Sequence, residues 1–191
     1  MIGAATGCST AADGGGMPAL PWLLHDGTPA VLRRIGPDDA AALQAMLLRQ
    51  SRASQRFRFH TPVDGLTPQQ LARLTCNDDP LQLALVLVIA THAPEPNVIA
   101  EARYASEDGI SAELALIVDE AWRRHSIARR MLGVLMQAAR RAGLQSLHGH
   151  VLQDNDAMLA LVRSARWPVT LDRHDGRVRC VCIELVPQRR S

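Results

Sequence analysis

Two spacings of apolar residues run along this chain, and the switch between them marks its elements. Leu114 to Val118 is a short apolar run of the kind that forms a strand covered on both faces. From Ile127 the period lengthens. Ala128, Met131, Leu132, Leu135, Ala139 and Ala142 recur at three-and-four spacing, while Arg129, Gly133, Gln137, Arg140 and Arg141 take the other side. That pattern predicts an amphipathic helix, stopped by Gly143. Upstream, Ala30 to Ile35 reads as a first strand, and Pro37 with Asp38 and Asp39 opens a helix to about Gln50. Ser51 to Phe59 reads as loop, and Thr67-Pro68-Gln69-Gln70 caps a short helix ending near Thr75. Leu83 to Ala90 and Val98 to Ser106 are apolar strands joined by a turn holding Pro94 and Pro96. Glu107-Asp108-Gly109 then turns the chain into the strand carrying Glu113, which makes an antiparallel meander. Leu147 to Leu152 reads as a strand, Asn155 to Arg166 as a helix, and Val169 to Val186 as a hairpin turning at Asp175-Gly176. Residues 1–28 are rich in Gly, Ala and Ser and read as a flexible extension, in which Pro21 to Leu24 either docks as an apolar patch or stays loose.

With 191 residues and 47% hydrophobic content, the remainder, 29–187, suits one domain with a sizeable core. A net charge of +2, with arginines in scattered pairs, argues against a nucleic-acid partner. All 21 basic residues are arginine, so the chain has no lysine to modify. Cys8, Cys76, Cys180 and Cys182 lack the paired spacing of a zinc site, and no metal is expected. The longest apolar run suits a strand and not a membrane span, and no signal-peptide pattern opens the chain; a cytoplasmic protein is expected.

Between the apolar strand and the amphipathic helix lies Trp122-Arg123-Arg124-His125-Ser126-Ile127-Ala128. A strand-to-helix turn bares backbone N–H groups at the helix N-terminus and so forms an anion site. Arg123, Arg124 and His125 add charge, and a phosphorylated ligand is the natural partner.

At these residues the chain resembles the GNAT N-acetyltransferase superfamily. Its motif A, Gln/Arg-x-x-Gly-x-Gly/Ala, is met by Arg123-x-x-Ser126-x-Ala128, with serine at the first glycine. Asn155 to Trp167 is similar to motif B, commonly Asn-x-x-Ala-x-x-Leu-Tyr-x-Lys-x-Gly-Phe, with Val162 at the tyrosine and Arg166 at the glycine. Within the superfamily the chain most resembles the acetyltransferase domain of bacterial Pat-type protein lysine acetyltransferases. That likeness rests on Ser51-x-x-Ser54 with Arg58-Phe59, on Leu66-Thr67-Pro68 with Leu71 to Thr75, on Ala102-Arg103-Tyr104, and on Ala112-Glu113. The resemblance implies an α/β (α+β) fold of order β-α-α-β-β-β-α-β-α-β-β. Its mixed, mostly antiparallel sheet has six to seven strands, with about four helices.

The resemblance also implies acetyl-CoA as co-substrate. Arg123, Arg124, His125, Ser126, Ile127 and Ala128 would sit at its pyrophosphate, a backbone N–H of Ile117 or Val118 on the acetyl carbonyl, and Asn155 either on the coenzyme A arm or only capping its helix. Glu113 is the candidate general base, directly or through water, with His150 as a second candidate on the strand that also carries His148. Tyr104, the single tyrosine, is a weaker candidate for the acid that reprotonates the departing thiolate. The implied activity is acetyl transfer to a primary amine, most directly a protein lysine on a partner such as an acyl-CoA synthetase. A small-amine acetyltransferase and a non-catalytic acyl-CoA-binding module are the alternatives.

Overall fold

In a computed structural model, residues 17–61, 63–76, 79–90, 96–173 and 176–185 are described. Residues 1–16 of the extension, Cys8, most of the turn with Pro94, Asp175 of the hairpin turn and Val186 at the hairpin's end lie outside them.

Eight strands form one sheet in the order β1-β2-β3-β4-β5-β6-β8-β7. They are β1 (Leu20–Leu23), β2 (Pro29–Arg34), β3 (Gln82–Ile89), β4 (Asn97–Ala105), β5 (Ser111–Val118), β6 (Ser146–Leu152), β7 (Val169–Arg173) and β8 (Val178–Glu184). The helices are α1 (Ala40–Leu48), α2 (Arg52–Phe59), α3 (Pro68–Thr75), α4 (Ile127–Arg141) and α5 (Asp156–Arg163). All neighbouring strands run antiparallel except β5 and β6. The fold is therefore the mixed, mostly antiparallel one implied by the resemblance, with one strand and one helix more than the upper counts expected.

Each addition has a physical cause. β1 falls within residues 1–28, expected as an extension in which Pro21 to Leu24 either docks or stays loose; it docks as an edge strand, pairing Leu20 with Leu32 and Trp22 with Ala30. The Arg130 guanidinium stacks 3.9 Å from the Trp22 ring and donates to the Leu23 carbonyl at 3.1 Å, tying that edge to α4. α2 replaces the loop expected over Ser51 to Phe59. Its sequence, Arg-Ala-Ser-Gln-Arg-Phe-Arg-Phe, offers almost no apolar stripe, and its buried residues are Ser54 and Gln55. Polar anchors hold it instead, beginning with Ser51, whose hydroxyl accepts the Ser54 N–H at 3.3 Å as an N-cap.

Alternation divides the strands between two cores. Leu83, Leu85 and Leu87 of β3, with Ala102 and Tyr104 of β4, join the side covered by Met131, Leu132 and Leu135 of α4 and by α5. Ala84, Val86 and Val88, with Ile117 of β5, pack on the other side against Leu43, Met46 and Leu47 of α1 and against α3. Glu113, Ala115 and Ile117 face the α1–α3 side; Leu114, Leu116 and Val118 face α4. No helix among the described residues is long and apolar enough to cross a membrane.

Candidate active site

β5 and β6 stay together for only three residue pairs, Ser111 with Ser146, Ala112 with Leu147, and Glu113 with His148. Beyond them the strands part. β6 continues against β8 while β5 continues against β4, and a cleft of about 820 Å³ opens between them, reaching the start of α4, one face of α5 and the side of α2. At the apex sits Gly149, where a Cβ would meet the Leu114 carbonyl oxygen at 3.3 Å. A side chain there would crowd the backbone as the strands separate.

Strand geometry also sorts the backbone groups along the cleft. The Leu114 carbonyl points toward β6, while the Asp119 N–H turns the other way, to the Ile99 carbonyl at 2.8 Å. Because these directions alternate along a strand, the N–H groups of Leu116 and Val118 face the open cleft and that of Ile117 faces β4. Of the two N–H groups expected near the acetyl carbonyl, that of Val118 faces the cleft and that of Ile117 does not; the Leu116 N–H also faces it, a direction that the sequence does not give.

The turn into α4 carries two non-glycine residues with left-handed backbone, Arg124 at φ 67° and Ser126 at φ 59°. The first backbone bond into the helix is donated by the Arg130 N–H to the Ser126 carbonyl, 3.1 Å. The N–H groups of Ser126, Ile127, Ala128 and Arg129 precede it and have no acceptor within the helix, which is the geometry of an anion cradle. Serine at 126 therefore stands in the conformation that the glycine of the motif adopts without strain. Its hydroxyl makes no capping bond. Ser126→Gly is expected to stabilise the protein by about 1 kcal/mol, raising Tm by roughly 3 °C, while acetyl-CoA affinity stays at the wild-type level; thermal denaturation and calorimetric titration check this.

Arg123, Arg124, Ser126, Ile127 and Ala128 line the cleft. His125 does not. Its Nδ1 is 3.2 Å from the Trp122 carbonyl and its ring lies 5.9 Å from the Trp122 ring, which turns it away from the cleft wall. The Arg123 guanidinium donates to Ser54 Oγ at 2.7 Å and lies 3.6 Å from Glu120, so it braces the turn against α2. Asn155 caps α5, its Oδ1 accepting the Met158 N–H at 3.2 Å, and also lines the cleft.

Glu113 projects from the last paired residue of β5, with 65% of its side chain exposed. His150 Nδ1 is 3.9 Å from its carboxylate, and both line the cleft. His60, the left-handed C-cap of α2, brings its Nε2 to 3.1 Å from the His150 carbonyl. His148 pairs with Glu113 but lies outside the cleft lining. Tyr104 is 4% exposed in the core beneath α4, where burial pushes its hydroxyl pKa up; it does not line the cleft, so it is a packing residue. Cys180 and Cys182 pair across the sheet with His150 and His148, a proximity invisible in the linear spacing. Among the described residues no group of His, Cys, Asp and Glu is arranged to hold a metal.

Two polar clusters beside the cleft escaped the sequence reading. Glu120 receives Ser51 Oγ at 2.6 Å, the Ser51 N–H at 3.1 Å and Ser54 Oγ, and the two serine hydroxyls hold its carboxyl below the usual range. Glu101 is buried between Arg58, at 3.2 Å, and Arg103. The motif Ser51-x-x-Ser54 hints at the first cluster, but its acceptor lies 66 residues beyond Ser54.

Residues 30–166 match the sequence profile of the acetyltransferase (GNAT) domain, and the chain belongs to that family. Among solved structures it is similar to the GNAT domain of S. lividans PAT, at 26% identity and a TM-score of 0.76, over 87% of this chain and 96% of that one. A cAMP-binding acyltransferase from Mycobacterium smegmatis shares the fold at 24% identity and a TM-score of 0.59, over 89% of this chain and 48% of that one, so this chain spans about half its length. Spermidine N-acetyltransferase from Vibrio cholerae, solved with CoA and spermine, shares it at 18% identity and a TM-score of 0.64, over 82% of this chain and 95% of that one. The protein is an acetyltransferase of the GNAT family.

Proposed function

We propose that the protein transfers the acetyl group of acetyl-CoA directly to a primary amine, with a lysine of a partner protein such as an acyl-CoA synthetase as the acceptor. The observation that carries this reading is the placement of Glu113, exposed where β5 and β6 part and on the sheet face opposite α4. The cleft fits the cofactor. Unpaired N–H groups at the start of α4 suit its pyrophosphate, and the parted strands admit the extended pantetheine arm with the thioester near Leu116 and Gly149.

The acceptor then approaches from the Glu113 side. The neutral amine attacks the thioester carbonyl carbon, forming the C–N bond, and its proton passes to Glu113 directly or through a water, with His150 adjacent. The N–H of Leu116 or Val118 stabilises the oxyanion. The C–S bond breaks and coenzyme A leaves as a thiolate; with a thiol pKa near 8.5 it departs tolerably without a dedicated acid. The burial of Tyr104 accords with that economy.

The acceptor class is tested by following thioester consumption with a purified acyl-CoA synthetase, with spermidine and with an aminoglycoside. Saturable turnover with the protein, and acetyl-lysine found on it by mass spectrometry, is the expected result. Since the enzyme has no lysine, every acetyl-lysine must arise on the acceptor. Turnover confined to the small amines would replace the protein acceptor with a small-molecule one.

A further inference from the structure

α2 and the turn into α4 meet at one carboxylate oxygen. Glu120 Oε1 accepts the Ser51 N–H, at 3.1 Å, and the hydroxyls of Ser51, at 2.6 Å, and Ser54. Ser54 Oγ in turn accepts from Arg123, at 2.7 Å, and the Arg123 N–H donates to the Glu120 backbone carbonyl at 3.4 Å. The preceding residue completes the junction. Asp119 accepts from Arg49 at 2.8 Å and 3.1 Å and from the Ala121 N–H at 3.1 Å.

This junction has something to hold. Arg124 and Ser126 occupy backbone conformations that side chains resist, and such residues persist only where their surroundings fix them. The α2 side is also fixed elsewhere, through Gln55 Nε2 to the Leu47 carbonyl at 3.2 Å and through the buried ion pair of Arg58 with Glu101 at 3.2 Å. It therefore offers a firm support.

We propose that Glu120 is a positioning residue for the cofactor: by anchoring the turn to α2 it holds the N–H groups of residues 126–129 in the array that receives the pyrophosphate. This rests on the reading of that turn as the pyrophosphate site. The charge of Glu120 works against the role, since an anion near a pyrophosphate repels it, and the two effects predict opposite signs on removal. An anchor lost weakens cofactor binding; a repulsive charge lost tightens it.

Calorimetric titration separates them, using acetyl-CoA, 3′-phospho-ADP, which carries the pyrophosphate, and acetyl-pantetheine, which lacks it. Glu120→Ala is expected to weaken acetyl-CoA and 3′-phospho-ADP about tenfold and to leave acetyl-pantetheine within about twofold. Glu120→Gln, which keeps an oxygen acceptor without the charge, is expected to stay within about threefold of wild type, and Ser54→Ala to repeat the alanine pattern more weakly, about threefold. Unchanged or tighter acetyl-CoA binding in Glu120→Ala, or equal weakening of all three ligands, would overturn the proposal. Wild-type protein that failed to bind acetyl-CoA would instead overturn the cofactor reading, and the proposal with it.

Discussion

Glu113→Gln is expected to lower the rate of acetyl transfer at pH 7 by about 10²–10³-fold while leaving acetyl-CoA affinity unchanged. A lysine amine of pKa about 10.4 costs roughly 4.6 kcal/mol to deprotonate at pH 7, and a base at the acceptor position supplies part of that. The side chain lines the cleft from β5, apart from the turn into α4 that we propose receives the pyrophosphate, so binding and chemistry are expected to separate. A pH series sharpens the prediction. Without the base, the variant depends on the fraction of neutral amine in solution, which rises tenfold per pH unit below 10.4, so its deficit against wild type shrinks as pH rises. A deficit that stayed constant to pH 10 would show that Glu113 does something other than accept the amine's proton.

Glu101→Ala is expected to destabilise the fold by about 3–5 kcal/mol, because it leaves Arg58 of α2 and Arg103 of β4 without their buried counter-charge. Burial raises the pKa of the Glu101 carboxyl, but the attraction of Arg103 and then Arg58 outweighs that and holds it below its ordinary value. A carboxylate of lowered pKa stabilises the folded state above its unfolded pKa of about 4.3, and the contribution is lost as pH falls through the lower folded value. Urea denaturation at pH 7 should therefore show the loss in full for the variant, and the difference between variant and wild type should shrink as the pH falls well below 4. Because Arg58 belongs to α2 and lines the cleft, the variant is also expected to lose activity before it unfolds globally.

Elements with a strong hydrophobic period were legible to within a residue or two. β3 runs Gln82–Ile89 where Leu83 to Ala90 was read, and α4 begins at Ile127 as its stripe requires. α2 was not legible, because no apolar period encodes it; its stabilising partners, Glu120 and Asp154, lie far along the chain. The turn into α4 was found through motif spacing, yet sequence does not say that His125 faces Trp122, or that Arg123 is spent on Ser54 and Glu120. Those are outcomes of side-chain direction, and direction follows from backbone dihedrals that a motif does not record. Likewise Glu113 was a candidate by context, but its closeness to His150 depends on β5 and β6 being paired for only three residues.

The most direct test of the account is a crystal structure with coenzyme A bound. The pyrophosphate oxygens are expected about 2.7–3.2 Å from N–H groups of Ser126, Ile127, Ala128 or Arg129, with the thiol between Leu116 and Gly149 and on the near side of Glu113. A pyrophosphate held elsewhere, or a thiol that emerged away from the β5–β6 apex, would contradict it.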